Sequence, residues 1–313
     1  MTPYHETADD NYRAQVNVPA YVRGLHPLDA VAFLSKTFEP TEQMLAPFLP
    51  TQGLCMIHAP RGTGKTHVAM GIACAVATAT SFLSRWSAPK PRRVLFIDGE
   101  MPAALLQKRF AETLTELNAS PPPDYFNIVA ADIEPDGLPD LADLKSQQYF
   151  DPVVGNADLI VLDNLSTICR SMRENEADAF EPVLAWLLAM RRAGKSVLLI
   201  HHSGKAGGQR GSSRKEDILD SVIGLRRPPG YSADQGARFE VHYEKTRRFH
   251  GEDAEPFEAW LKPTGWTTGP ITQANDSLDT LKTLRSEGLS IRDIGQRTGM
   301  SKSQVHRKMK DLF

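Results

Sequence analysis

The segment Ala59-Pro60-Arg61-Gly62-Thr63-Gly64-Lys65-Thr66 constrains this chain more than any other. An apolar run at residues 53–58 precedes it and an Ala-rich run at residues 65–80 follows, which predicts strand, loop and helix in that order. With glycine at 62 and 64, successive backbone N–H groups can close on an anion without intruding side chains. The helix turns its positive end on the same point. The general pattern is G-x-x-x-x-G-K-[ST], the phosphate-binding P-loop. Ala59 stands where that pattern has its first glycine, a departure by one small residue. Pro60, Arg61, Gly62, Thr63, Gly64, Lys65, Thr66 and His67 are therefore the expected cradle of a nucleoside triphosphate. Lys65 is expected at the β- and γ-phosphates and the Thr66 hydroxyl on magnesium, so ATP and Mg²⁺ are the expected cofactors.

A P-loop needs an acidic partner at the end of another strand. Leu159-Ile160-Val161-Leu162-Asp163 supplies it, and Asp163 joins Thr66 as the expected metal pair. This run and Val197-Leu198-Leu199-Ile200 show no in/out alternation, so both read as strands covered on two faces, the mark of a parallel sheet. Strands are further predicted at 93–98, 126–130, 158–163 and 196–201, and helices at 27–36, 102–117 and 182–192. Residues 133–150 are acidic and broken by Pro and Gly, with no element assigned. Past Gly204, residues 220–225, 237–245 and 257–261 predict strands that run antiparallel at the sheet edge. Residues 264–276, rich in Gly, Thr and Pro, predict a linker. The expected division is an N-terminal arm at 1–45, an α/β ATPase domain at 46–263, that linker, and a small all-α module at 277–313.

Composition narrows the class further. Of 313 residues, 41% are hydrophobic and 24% charged, enough apolar content to exclude disorder as the main state. The apolar runs are strand-length, which excludes a bilayer span, and the polar start, residues 1–12, does not read as a secretory signal. Cys55, Cys74 and Cys169 are odd in number and far apart, so neither a disulfide framework nor a zinc spacing is expected. They read as buried small hydrophobes in a reducing, cytoplasmic compartment. The near balance of 36 Lys+Arg against 38 Asp+Glu hides two basic zones. Residues 203–250 carry ten basic and six acidic side chains, and residues 277–313 eight and four. A polyanion is the expected partner at both.

Phe96-Ile97-Asp98-Gly99-Glu100 decides among P-loop branches. Together with the P-loop and Asp163, it makes the chain resemble the RecA-type ATPases over about residues 45–262, and most of all the RepA-like hexameric helicases of plasmids and phages. That resemblance implies a RecA-like core with a mainly parallel sheet. It implies a catalytic Glu at the end of the strand after the P-loop helix, which is Glu100, with Asp98 as the rival. Asn164 follows Asp163 where other branches carry the base, and an amide cannot accept the proton.

Leu199-Ile200-His201-His202-Ser203-Gly204-Lys205 resembles the strand end that senses the γ-phosphate, which points to His202 ahead of His201. Adjacent strand residues face opposite ways, so the two do not form a metal pair. Residues 204–213 correspond to the mobile loop that grips single-stranded nucleic acid. Lys205, Arg210, Arg214 and Lys215 are the expected phosphate contacts, with no aromatic for base stacking. Tyr243-Glu244-Lys245-Thr246-Arg247-Arg248 resembles the Lys-x-Arg segment that such helicases insert into a neighbour's site. Arg247 is then the expected finger, Arg248 the alternative and Lys245 the companion, in a homo-oligomer, expected to be a hexamer.

At the C-terminus, Leu278, Leu281 and Leu284 recur at helical spacing. Gly288 can end that helix, Ser290 can cap residues 291–298, and Gly299 with Ser301 can start another. Leu289, Ile294, Met300 and Val305 would form its small core. The pattern predicts a helix-turn-helix, with Ser303, Gln304, Arg307 and Lys308 facing duplex DNA. The expectation is an ATP-hydrolysing helicase acting on single-stranded DNA in plasmid, phage or mobile-element replication. The rivals are a RecA/RadA-like repair or recombination ATPase that forms filaments, and an ATP-switched DNA-binding regulator.

Overall fold

The computed structural model describes residues 27–171, 177–203, 214–271 and 281–298, together with 305, 306 and 309. It divides into two units, Met1–Pro40 and Thr41–Phe313. Among the described residues, the first contains the short helix α1 (Ala30–Leu34), within the expected stretch. The Asp29 carboxylate caps it by accepting the Ala32 N–H at 2.8 Å. The second unit opens with β1 (Gln43–Leu45) paired to β2 (Leu49–Pro50), so the arm expected over 1–45 ends earlier, before a strand.

Among the described residues, the second unit is built on one sheet of nine strands. In chain order they are β3 (Leu54–Ala59), β6 (Val94–Asp98), β7 (Phe126–Ala130), β8 (Leu159–Asp163), β9 (Ser196–His202), β10 (Ser221–Arg226), β11 (Arg238–Thr246), β12 (Phe257–Lys262) and β13 (Gly265–Pro270). A separate hairpin, β4 (Ser81–Phe82) with β5 (Trp86–Ser87), follows the helix α2 (Lys65–Thr78). The large sheet runs β13-β12-β11-β10-β3-β9-β8-β6-β7, an α/β architecture. From β10 to β7 all neighbours are parallel, and the last three strands are antiparallel.

Two expectations are corrected here. The strands at 220–225, 237–245 and 257–261 do run antiparallel to one another, but the first is not at the edge: β10 also pairs in parallel with β3, with Gly224 opposite His58. Residues 264–276 are not simply a linker, because Gly265–Pro270 forms β13 against β12. Trp266 explains why a Gly- and Thr-rich run can be a strand. Its ring packs edge-on against Phe82 and Phe239, and its backbone N–H donates to Glu116 Oε1 at 2.7 Å.

The central strands alternate between two cores. Cys55, Ile57, Phe96, Val161, Leu198 and Ile200 face one, which holds α2 and the helix α3 (Ala103–Glu116). Leu54, Met56, Ile97, Ile160, Leu162 and Leu199 face the other. That second layer contains α4 (Asp151–Val154), α5 (Leu165–Ile168) and α6 (Glu181–Arg192). Coverage on both faces is why these strands read as unbroken apolar runs. All three cysteines are buried in these layers, and burial pushes the Cys74 thiol up to about 12.

Helical residues 281–286 end at Gly288, which takes a left-handed φ of 82°. Ser290 Oγ then accepts the Asp293 N–H and donates to Asp293 Oδ2, starting α8 (Ile291–Thr298). Leu281, Leu284, Ile294, Val305 and Met309 share a small core. Met300, Ser301, Ser303, Gln304, Arg307 and Lys308 lie outside the described residues. No helix among the described residues is long and apolar enough to cross a membrane.

Candidate nucleotide site

Strand parity assembles the site. β6, β8 and β9 each end on the α2 face, which brings Asp98, Asp163 and His202 to one side of the sheet. The register sets Asp98 beside Asp163 and Ala59 beside His202. His201, one residue back, points the other way and is fully buried. A cavity of about 480 Å³ opens there, lined by Lys65, Thr66, Asp98, Glu100, Asp163 and His202 among others.

The P-loop wraps one side of this cavity. Gly62 has φ 73° and Gly64 φ 111°, a backbone region that only glycine enters without strain. A Cβ on Gly64 would sit 3.1 Å from Ala237 and 3.3 Å from Phe239, so β11 presses on the loop as well. Thr63 Oγ1 ties the loop by donating to the Pro60 carbonyl at 3.0 Å. Lys65 Nζ donates to the carbonyls of Ala59 and Pro60, both at 2.9 Å. Arg61, Gly62, Gly64, Lys65, Thr66 and His67 line the cavity, whereas Pro60 and Thr63 brace the loop from behind.

The electrostatics are those of a site short of positive charge. Burial drives the Asp163 carboxyl up to about 7, and neighbouring Asp98 and Glu100 push the same way against the Thr66 hydrogen bond and Lys65. Burial also raises Asp98, against the N–H groups it accepts from Met101 and Glu100. Lys65 is lowered to about 8 by burial, partly offset by Asp163 and Glu100. Asp163 Oδ2 is buried without a hydrogen-bond partner, beside the Thr66 hydroxyl. A divalent cation held between Thr66 and Asp163 answers that orphaned oxygen, so these residues fit Mg²⁺. Bound there, it would neutralise charge on the phosphates.

Glu100 reaches over the cavity. Its Oε2 accepts from Asn164 Nδ2 at 2.5 Å and lies 4.0 Å from His202 Nε2. Two backbone N–H groups fix the turn beneath it, donated to Asp98 Oδ1 by Glu100 at 3.1 Å and by Met101 at 2.6 Å. Asp98 is thus occupied in shaping the turn while Glu100 keeps an exposed carboxylate. Asn164 was weighed in the sequence only as a residue that cannot act as base, yet it holds Glu100 and caps α5 through Oδ1 to the N–H of Ser166 and Thr167. The signal was available: Asn followed three residues on by Thr before an apolar turn is a capping pattern.

Lys245 and Arg247 do not line this cavity in their own chain. Lys245 Nζ donates to the Glu216 and Asp217 carbonyls at the end of α7 (Arg214–Asp217), and Arg247 Nη2 to the Asp217 carbonyl. Arg248 instead approaches buried Asp220 at 3.8 Å, which Arg191 also holds at 2.5 Å. Arg214 and Lys215 begin α7, whereas Lys205 and Arg210 fall outside the described residues.

Comparison with known proteins agrees with this geometry. The AAA domain family (AAA_25) matches residues 22–208, which contain the P-loop, Glu100, Asp163 and His202. No curated protein sequence matches the chain. Among solved structures, the KaiC-like protein PH0186 of the hyperthermophilic archaeon Pyrococcus horikoshii OT3 superimposes with a TM-score of 0.50 at 18% identity. The match covers 72% of this chain and 94% of that one, a likeness of fold. A RecA-like P-loop ATPase core is therefore common ground between sequence, structure and relatives. Because the family match extends over more than half of the 313 residues, the chain belongs to the AAA domain family.

Proposed function

We propose that this ATPase is a DNA motor: a ring-forming RepA-like helicase that hydrolyses ATP to move on single-stranded DNA in plasmid, phage or mobile-element replication. The observation that carries the reading is the placement of Glu100. The carboxylate facing the P-loop comes from the strand after the P-loop helix, and the residue after Asp163 is an amide that holds it. In this reading Glu100 takes the proton of the attacking water. Lys65 carries the phosphates, Thr66 and Asp163 hold the metal, and His202 senses the γ-phosphate.

Lys245 and Arg247 act in a neighbour's site, where a guanidinium offsets charge spreading over the transferred phosphoryl group. Their position away from their own cavity is what such sharing requires. The basic excess of residues 203–250 and 277–313 supports DNA contacts by Lys205, Arg210, Arg214 and Lys215. The same excess supports duplex contacts through the C-terminal module by Ser303, Gln304, Arg307 and Lys308.

The test pairs ATPase rate, with and without single-stranded DNA, with unwinding of a tailed duplex. Stimulated hydrolysis together with ATP-dependent strand separation is expected. Slow turnover that ignores DNA, with no separation, would overturn the motor reading in favour of a switched regulator.

A further inference from the structure

On the sheet face opposite the nucleotide cavity, one imidazole bridges strands that the chemistry treats separately. His58 is the last residue but one of β3, just before the P-loop, and is 1% exposed. Its Nδ1 lies 2.8 Å from Ser203 Oγ and its Nε2 2.8 Å from Glu244 Oε2. Glu244 Oε1 in turn accepts from Arg226 Nη2 at 2.9 Å. A carboxylate only accepts, so in the neutral imidazole Nε2 carries the proton and Nδ1 accepts the Ser203 hydroxyl. The trio has the membership of a hydrolytic triad, but Ser203 and His58 are both buried, so no substrate reaches the hydroxyl. Its work lies elsewhere.

Both ends of the bridge are informative. Ser203 directly follows His202 at the end of β9. Glu244 is the extra residue of a bulge, because the β10–β11 register passes from Ile223 opposite Tyr243 to Val222 opposite Lys245. A bulged residue lacks the ladder bonds that fix its neighbours. Here the side chain replaces them by crossing over Gly224, where an added Cβ would lie 2.4 Å from Glu244 Oε1. Whatever sets this bulge sets the direction in which Lys245 and Arg247 leave the sheet.

We propose that His58 is a positioning residue: with Ser203 and Glu244 it locks the Lys245–Arg247 segment to the strand end bearing His202. A subunit's own nucleotide sensor and the cations it offers its neighbour are then set together. This rests on the shared-site reading above. The experiment uses full-length protein and mixed assemblies. His58→Gln keeps polarity but cannot span both partners. It should lower kcat about tenfold with the KM for ATP within about twofold, as Arg247→Ala should do more severely.

Lys65→Ala subunits hydrolyse nothing but carry an intact relay, so mixing them with His58→Gln subunits should restore turnover in part, by supplying correctly held cations to the His58→Gln sites. Wild-type kcat in folded His58→Gln overturns the relay. So does a loss that mixing fails to restore while the Arg247→Ala mixture is restored. If neither mixture recovers, the shared site falls and the relay with it. Ser203→Ala removes one oxygen and covers the case in which His58→Gln does not fold. It should show the same kcat-against-KM split at about threefold, and an unchanged kcat would overturn the proposal.

Discussion

Asn164 divides one amide between two tasks, capping α5 with its oxygen and holding Glu100 with its nitrogen. Asn164→Ala should therefore cost about 1 kcal/mol of stability as a lost cap, read by denaturant unfolding. It should also lower kcat about tenfold while ATP affinity holds, because the base loses its bearing and the phosphate cradle does not. Glu244 makes a second, pH-dependent prediction. The His58 hydrogen bond, with help from Arg226, holds its carboxyl down at about 2 from an ordinary 4.5, against burial. A depressed carboxyl contributes stability that is full above the unfolded value and fades as pH falls towards the folded one. Between pH 4.5 and about 2, wild type should lose stability more steeply than Glu244→Gln, followed by denaturant midpoints.

That Lys65, Thr66, Asp163 and Glu100 would converge on one cavity was legible because each sits at a fixed offset from a strand end or a glycine. Asn164 and His58 were not assigned roles, and Asp98 was weighed only as the rival base. What they do depends on partners 64 to 186 positions away or on a turn that only the folded backbone closes.

At the scale of elements, the parallel core was readable from Leu159–Asp163 and its neighbours because two-sided burial leaves an unbroken apolar run. The antiparallel run from β10 to β12 was readable too, but not where it joins the rest: β10 is an interior strand because it also pairs in parallel with β3, a partner about 165 positions away in the chain. β13 was invisible for another reason: an edge strand with half-buried positions needs few apolar residues, and Trp266 alone anchors it. Close packing makes a test at the P-loop helix. An added Cβ at Gly71 would fall 2.2 Å from the Phe82 ring. Gly71→Ala should cost about 1–3 kcal/mol by overpacking and loosen the β4–β5 hairpin from α2. Calorimetry of the variant would show it. A neutral or stabilising result would mean the hairpin yields freely.

In the whole molecule, a cationic segment faces away from the nucleotide cavity of its own chain. If each site takes Arg247 from a neighbour, specific ATPase activity should fall on dilution below the assembly concentration and recover on concentrating. A strictly constant specific activity over a hundredfold dilution, with the protein shown to be monomeric, would remove the neighbour from the mechanism.

The claim underneath all of this is that ATP sits in the P-loop cradle and Glu100 takes the proton of the water that attacks it. Glu100→Gln, assayed in parallel for MgATP binding and turnover, tests it most directly. The expected result is a dissociation constant within about threefold of wild type and hydrolysis down at least about a hundredfold. Hydrolysis at the wild-type rate in that variant would contradict it.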